Sequence, residues 1–216
     1  MTIWFTSDQH WGHGKIIQHC SRPFIDVDEM NQQLITRWNS VVQRGDTVYH
    51  LGDMFYRCAV DDARQIIACL NGKINLVLGN HDGIAQQLRP HFGWIKEYYE
   101  LNVEDADALQ GKQRIILMHY PLLSWRGSGR STWSLFGHEH GLFTQHAAHA
   151  EDMLRQEEDG FEMLAPIEMI RHIVARNHML DVGVDVNDFR PISYEEVKAR
   201  MAYKDEQCQI RKQEIK

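Results

Sequence analysis

The sequence predicts an α/β fold whose strands deliver polar side chains to one edge of a sheet, and three observations point there. Short β-branched apolar runs alternate with segments of helical periodicity. Almost every such run ends in Asp, Asn or His. The composition, 43% hydrophobic and 25% charged over 216 residues, suits a single globular unit with a sizeable core. It excludes a disordered, collagenous or coiled-coil chain.

The strand-like runs are residues 3–6, 47–51, 74–78, 114–118, 134–136 and 179–184. Asp26-Val27-Asp28-Glu29 has the form of a capping box, and Met30, Leu34, Trp38 and Val41 behind it share one helical face. That helix should cover a sheet. Asp61 is placed to cap a second helix carrying Ala63, Ile66, Ile67 and Leu70, which Asn71-Gly72 ends. Residues 103–111 read as a hairpin-like connection. Ser193-Tyr194-Glu195-Glu196 is another capping box, opening a last helix to about Met201. Residues 1–202 thus form one domain, with a mainly helical insertion at about 141–178 and a charged tail at 203–216 expected to fray. The insertion follows directly on His138 and His140, so it either overhangs the site those residues build or packs on the flank of the domain or a second copy.

Lys and Arg number 23 against 30 Asp and Glu, a formal charge of −7, which disfavours an extended nucleic-acid duplex as partner while leaving room for a small cationic pocket. No run approaches a membrane span, and Met1-Thr2-Ile3-Trp4-Phe5 turns polar at Thr6 without a basic flank, so neither a signal peptide nor a membrane anchor is expected. Cys20, Cys58, Cys69 and Cys208 are widely spaced and read as reduced, structural thiols. The expected location is the cytoplasm.

Thirteen His remain to be explained, and their placement matters more than their number. Asp8 and His10 follow the first strand, Asp53 the second, Asn80 and His81 the third, His119 the fourth, and His138 and His140 the fifth. In open α/β sheets ligands bind outside the carboxyl ends of strands, so separate strands can bring these groups to one crevice. Residues two apart in extended chain face the same way, which pairs Asp8 with His10 and His138 with His140. Gly52, Gly79 and Gly137 each precede the polar residue, where a sharp turn is expected. Singly, each motif also fits an ordinary turn; together, at successive strand ends, they read as a metal site.

In this order, Asp8-x-His10, Gly52-Asp53, Gly79-Asn80-His81-Asp82, His119 and Gly137-His138-x-His140 resemble the calcineurin-like metallophosphoesterases. The flanking text, including Arg22-Pro23-Phe24, Trp38-Asn39-Ser40, His119-Tyr120-Pro121 and Val182-Gly183-Val184-Asp185, is similar to a short bacterial and phage subgroup. The likeness spans about Phe5 to Val197 apart from residues 141–178. It implies a four-layer α-β-β-α sandwich of two mixed sheets flanked by helices. It also implies a metal on Asp8, His10, Asp53 and His140, a second on Asp53, Asn80, His119 and His138, and Asp53 as the bridge.

Carboxylate, amide oxygen and imidazole suit borderline dications, with Mn first and Fe, Zn, Ni or Co compatible. Two such ions about 3.5–4 Å apart can hold a hydroxide for in-line attack on phosphorus. By the same resemblance His81 is the catalytic group that binds no metal, protonating the leaving oxygen or stabilising charge on the phosphoryl group, with Asp82 placed to orient it. His13 and His50, beside the motifs, either hydrogen-bond to the ligands from outside or pack as ordinary side chains. His146 and His149 have helical spacing and read as a wet face, and His19, His91, His172 and His178 have no partner pattern.

Arg22, Arg126 and Arg130 are the candidate phosphate contacts, because guanidinium forks match phosphate oxygens. Trp125 and Trp133 flank two of them, as a wall for a base or as core. The Gly-Asp-x-x-Asp of protein phosphatases is absent: Tyr56 takes the place of the second acid, with Arg57 after it. The leading reading is therefore a phosphodiesterase for small nucleotide-like molecules. A phosphomonoesterase, a nuclease for short single strands and a catalytically silent scaffold are the alternatives; the oligomeric state is not legible.

Overall fold

The computed structural model describes residues 1–142 and 178–214. Strand β1 (Ile3–Thr6) leads through helices α1 (Gly14–His19) and α2 (Val27–Val41) to β2 (Thr47–His50), and α3 (Val60–Cys69) connects β2 to β3 (Lys73–Val77). Short β4 (Ile95–Lys96), then β5 (Tyr98–Glu104), β6 (Lys112–Met118), β7 (Trp133–Phe136), β8 (Met179–Asp181), β9 (Ile192–Ser193) and α4 (Tyr194–Glu214) follow. The strands form two mixed sheets, ordered β4-β3-β2-β1-β9 and β5-β6-β7-β8. Parallel β1, β2 and β3 run in register, with Phe5 beside Tyr49 and Val48 beside Ile74, so their carboxyl ends emerge together.

Period-two alternation explains the layers. Phe5, Tyr49 and Val77 of the first sheet face Ile115, Leu117, Leu135 and Leu180 of the second in one buried cluster. The neighbouring residues Val48, Ile74 and Leu76 point the other way, onto Met30, Leu34 and Trp38 of α2 and Ala63 and Ile67 of α3. Ile116, Phe136 and Met179 leave the outer face of the second sheet and meet Trp125. Trp125 and Trp133 are therefore core residues; the Trp125 Nε1–H donates to the Thr132 carbonyl at 3.0 Å.

Several element expectations are corrected. Asp26 does cap α2, its Oδ1 accepting from the Glu29 N–H at 2.9 Å, while Glu29 accepts from the Ile25 N–H. Asp61 is not the cap of α3: the helix begins at Val60 behind Ala59, and Asp61 lies in its first turn, bonded to Arg64 on the surface. The 103–111 connection closes a hairpin whose first arm, β5, was not anticipated; Leu101 and Val103 alternate inward while Glu100, Asn102 and Glu104 face outward on an edge strand. The tail does not leave the helix at Met201, since α4 continues to Glu214. Ser193 and Glu196 form the expected capping box at its start. The expected insertion at 141–178, with His146, His149 and His172, lies almost wholly outside the described residues.

Because Asp26 satisfies an N-terminal donor of α2 at a site remote from the core, Asp26→Ala should lower unfolding free energy by about 1 kcal/mol. Urea denaturation should show this as a lower midpoint with an unchanged slope.

Candidate metal centre

The carboxyl ends of both sheets meet through the backbone before any side chain is considered. Asp8 N–H donates to the Gly52 carbonyl (3.0 Å) and His10 N–H to the Asp53 carbonyl (3.1 Å), joining the loops after β1 and β2. Gly137 N–H donates to the His119 carbonyl at 2.9 Å, joining the loops after β6 and β7, and Ser7 bridges to Gly183 across the two sheets. The Asp82 carboxylate takes three further donors: Asp53 N–H and Met54 N–H at 2.9 Å and Gly79 N–H at 2.8 Å. This corrects the expectation that Asp82 orients His81. Its oxygens are spent pinning the loop after β3 to the loop after β2.

Asp8, His10, Asp53, His138 and His140 all have positive φ, between 47° and 72°. Asp and His enter this region more readily than bulky residues, but at a cost, and such residues gather at functional sites where the surroundings over-determine them. Of the expected sharp-turn glycines only Gly52 has positive φ, at 96°. Gly79 is required by closeness instead: a Cβ there would stand 2.2 Å from Asp53 Oδ1. Gly137 likewise leaves room for Ser7 and Asp8.

The side chains expected as ligands fall into two groups with converging donor atoms. Asp8, His10 and His140 form one, and Asp53, His119 and His138 the other. A third group, Cys20, His140 and Asp185, shares His140 with the first. Asn80 Oδ1 lies 3.2 Å from His119 Nε2, so it joins the second group. Asp53 Oδ2 stands 3.5 Å from both His10 Nε2 and His119 Nε2, between the groups. His119 Nδ1–H donates to the Leu51 carbonyl at 2.8 Å, which turns Nε2 toward His138 Nδ1 at 3.2 Å and Asp53 Oδ2 at 3.5 Å. Burial lowers the His119 pKa, but the hydrogen bond to Asp53 and the charges of Asp8 and Asp53 raise it overall, favouring a proton on Nε2 that a cation would displace. His10 Nε2 is buried with no hydrogen-bond partner in the protein. An unpartnered buried imidazole nitrogen beside converging imidazole and carboxylate groups fits a divalent cation, since a buried polar atom left alone is costly.

The electrostatics agree. Burial pushes the Asp8 carboxyl up to about 7 despite nearby His140 and His119. Burial would raise Asp53 too, but the hydrogen bond and charge of His119 outweigh it and hold Asp53 down at about 2. Burial holds His10 neutral, down to about 2. His140 is the opposite case: burial pulls it down, yet hydrogen bonds to Asp185 and Cys20 and the charge of Asp8 raise it to about 10.

Asp185 is the functional residue that sequence reasoning missed. It accepts from His140 Nδ1–H at 2.7 Å, leaving Nε2 for the centre, and pairs with Arg22. Its sequence signal was a carboxylate just beyond a strand, in Val182-Gly183-Val184-Asp185, to which no role had been attached. Asp181, also missed, accepts from Gly141 N–H and Gly183 N–H and ties the loops after β7 and β8.

Arg22 is not a phosphate contact. Its guanidinium is buried and every donor is used, on both Asp185 oxygens, the carbonyls of Asp8 and Gln9, and Met30 sulfur. Nor does the site gather the other two arginines. Arg126 pairs with Glu100 on the outer strand β5 at 3.2 Å, and Arg130 sits exposed in the 126–131 turn.

His50 props the Gly52 turn, accepting from Gly52 N–H at 3.2 Å, and burial keeps it neutral, down to about 3. His13 stacks on Tyr56 with centroids 3.8 Å apart and sets its Nδ1 3.4 Å from that of His10. Both therefore act from outside the ligand groups. The thiols of Cys20, Cys58 and Cys69 are free.

A family model described as calcineurin-like phosphoesterase matches residues 1–176. The chain belongs to the calcineurin-like phosphoesterases. This phosphoesterase is 34% identical over 139 residues to the uncharacterised protein MJ1445 of Methanocaldococcus jannaschii, covering 64% of this chain and 69% of that one. It is 28% identical over 199 residues to the gene 66 protein of Mycobacterium phage L5, covering 84% and 86%. A crystal structure of a protein of unknown function from Aquifex aeolicus shares the fold, with a TM-score of 0.57 at 24% identity over 92% of this chain and 98% of that one. Family members are metal-dependent phosphoesterase hydrolases, and so is this chain.

Protons compete with metal at these ligands, so uptake should release them. In the metal-free protein His140 keeps its proton up to about pH 10 and Asp8 titrates near 7. Apparent metal affinity should therefore rise between about pH 6 and 8 as Asp8 ionises. In Asp185→Asn, His140 should be neutral already at pH 8, and proton release there should fall by close to one per chain. Calorimetric titration of Mn into buffers of different ionisation enthalpy measures this, and equal release from both proteins would contradict the role given to Asp185.

Proposed function

We propose that this phosphoesterase is a dinuclear enzyme hydrolysing phosphodiesters of small nucleotide-like substrates. The observation that carries the reading is Asp53 Oδ2, equidistant at 3.5 Å from one imidazole of each ligand group. Asp8, His10, Asp53 and His140 would hold one divalent ion, and Asp53, Asn80, His119 and His138 the other. Mn is the first choice for such oxygen and imidazole donors, with Fe, Zn, Ni or Co compatible. A pair of dications supplies water of lowered pKa and positive charge opposite the phosphoryl oxygens.

His81 is assigned the proton transfer. Its backbone N–H is fixed on Asp53 Oδ1 at 2.8 Å, its Nε2 lies 3.9 Å from Asp53 Oδ2, and its side chain is 36% exposed, at the mouth of the centre. In the balanced step the oxygen of water bonds to phosphorus, the ester P–O bond breaks, and the leaving oxygen takes the proton that His81 carries. A phosphomonoester and an alcohol leave. Support for small substrates comes from the net charge of −7 and from Arg22, which is withdrawn into the protein. The free thiols of Cys20, Cys58 and Cys69 suit the cytoplasm, and among the described residues no helix is long and apolar enough to cross a membrane.

Elemental analysis coupled to a hydrolysis panel of monoesters, diesters and short oligonucleotides tests the proposal. Chelation should abolish activity and Mn restore it, with two ions per chain in the native protein. Asp53→Asn should retain at most one ion and lose turnover, because one carboxylate oxygen serves both groups; full occupancy with normal turnover would refute the bridge.

His81→Ala should keep both ions and lose on the order of 10²–10⁴ in kcat. A nitrophenyl diester, whose leaving group needs no proton, should suffer less than an alkyl diester. Equal losses on both would place His81 at the phosphoryl charge instead of at the leaving oxygen.

A further inference from the structure

Beside the centre lies a cleft of about 650 Å³ whose lining includes His13, Lys15, Gln18, Tyr56 and Arg57. It adjoins the centre on one particular side. The Tyr56 ring stacks on His13 and meets His81 edge to face at 4.8 Å between centroids, and His13 reaches His10. The cleft therefore opens next to the residue assigned to protonate the leaving oxygen. A leaving group seated in the cleft would lie on the Tyr56 side of His81.

The polar lining has a definite sign. Lys15 and Arg57 are both exposed, and no carboxylate pairs with either among the described residues. In a chain of net charge −7, these two cations give the walls of the cleft a local positive charge. Arg57 is also held at a φ of 49°, with its guanidinium 5.3 Å from the Tyr56 ring centroid. This is the loop where an acid in protein phosphatases is replaced here by Tyr56. The amide of Gln18 adds a donor, and the stacked His13 and Tyr56 rings contribute a flat aromatic surface.

We infer that this cleft is the leaving-group subsite, and that it takes a phosphodiester whose leaving half carries a further phosphate, bound by Lys15 and Arg57. The inference rests on the phosphodiesterase reading above. A guanidinium offers a planar fork and an ammonium a compact charge, and a terminal phosphate with three oxygens can accept from both at once. With Arg22 consumed inside the protein, Lys15 and Arg57 are the cations that the described residues place beside the centre. Their contribution is to substrate choice and not to bond cleavage, which the ligand groups and His81 carry.

The test uses Mn-loaded full-length protein and the thymidine dinucleotides TpT, pTpT and TpTp. One of the two forms with a terminal phosphate should be cleaved with a kcat/KM at least about ten-fold above that of TpT at low ionic strength, and the margin should shrink as salt is added. In Lys15→Ala/Arg57→Ala that ratio should fall to about one, with the metal content by elemental analysis unchanged. Both residues are exposed, so the variant should fold. A wild-type ratio of one, or a ratio the variant leaves intact, would overturn the subsite while leaving the phosphodiesterase reading in place. If the metal-loaded protein cleaves neither TpT nor bis(p-nitrophenyl) phosphate, both readings fall together.

Discussion

Carrying Asp8, Asp53, His10 and His119 out of water into one end of a two-sheet core is costly unless each charge or lone pair finds a partner there, and much of the loop architecture can be read as the way that constraint is met. Backbone amides answer part of it. Asp8 takes the His138 N–H, Asp53 takes the His81 N–H, and Asp82 takes three amides from two loops. Arg22 and Asp185 answer another part as a buried, bidentate pair that also grips the carbonyls of Asp8 and Gln9. What is left over is His10 Nε2, buried without a hydrogen-bond partner, and the nitrogens of His119 and His138 that face each other at 3.2 Å. Divalent cations are the partners that such a remainder suits.

The same constraint accounts for the strained backbone. Five residues of the two ligand groups sit at positive φ, each beside hydrogen bonds that leave the chain little freedom to relax. Such strain persists only where the fold around it is rigid, and here the rigidity comes from parallel strands in register and from the cluster buried between the two sheets. The core therefore does more than stabilise. It holds loop ends within a few ångströms of each other, a geometry that metal-assisted chemistry needs and that free loops do not supply.

Much of this was legible in the sequence. The strand runs agree within a residue or two, except that the run at 179–184 overshoots β8, which ends at Asp181 before a turn at Val184–Val186, and that short β4 and β9 and the edge strand β5, whose alternation carries too little hydrophobicity to stand out, are missing from them. The helix over Val27–Val41 declared itself through its capping box and apolar spacing. The α3 start was misplaced because Asp61 suits a first turn as well as a cap. The candidate ligands stand out because each follows a strand and the order matches a known family, and the structure brings the donor atoms of these seven residues together.

Residue type at strand ends, hydrophobic period and motif order were sufficient to determine the fold class, the family and the side chains that meet at the centre, since all three are local properties that survive in one dimension. Which polar residue partners which was decided only in three dimensions. Arg22 and Asp185 are 163 positions apart yet form one ion pair, so a guanidinium that looked available for phosphate is spent. Asp82, next to His81 in sequence, turns instead to the backbone of the loop after β2. Lys15 and Arg57, unremarkable on their own, come to line one cleft only because α1 and the loop after β2 pack together. Burial and distance set the worth of a charge, and neither is written in the order of residues.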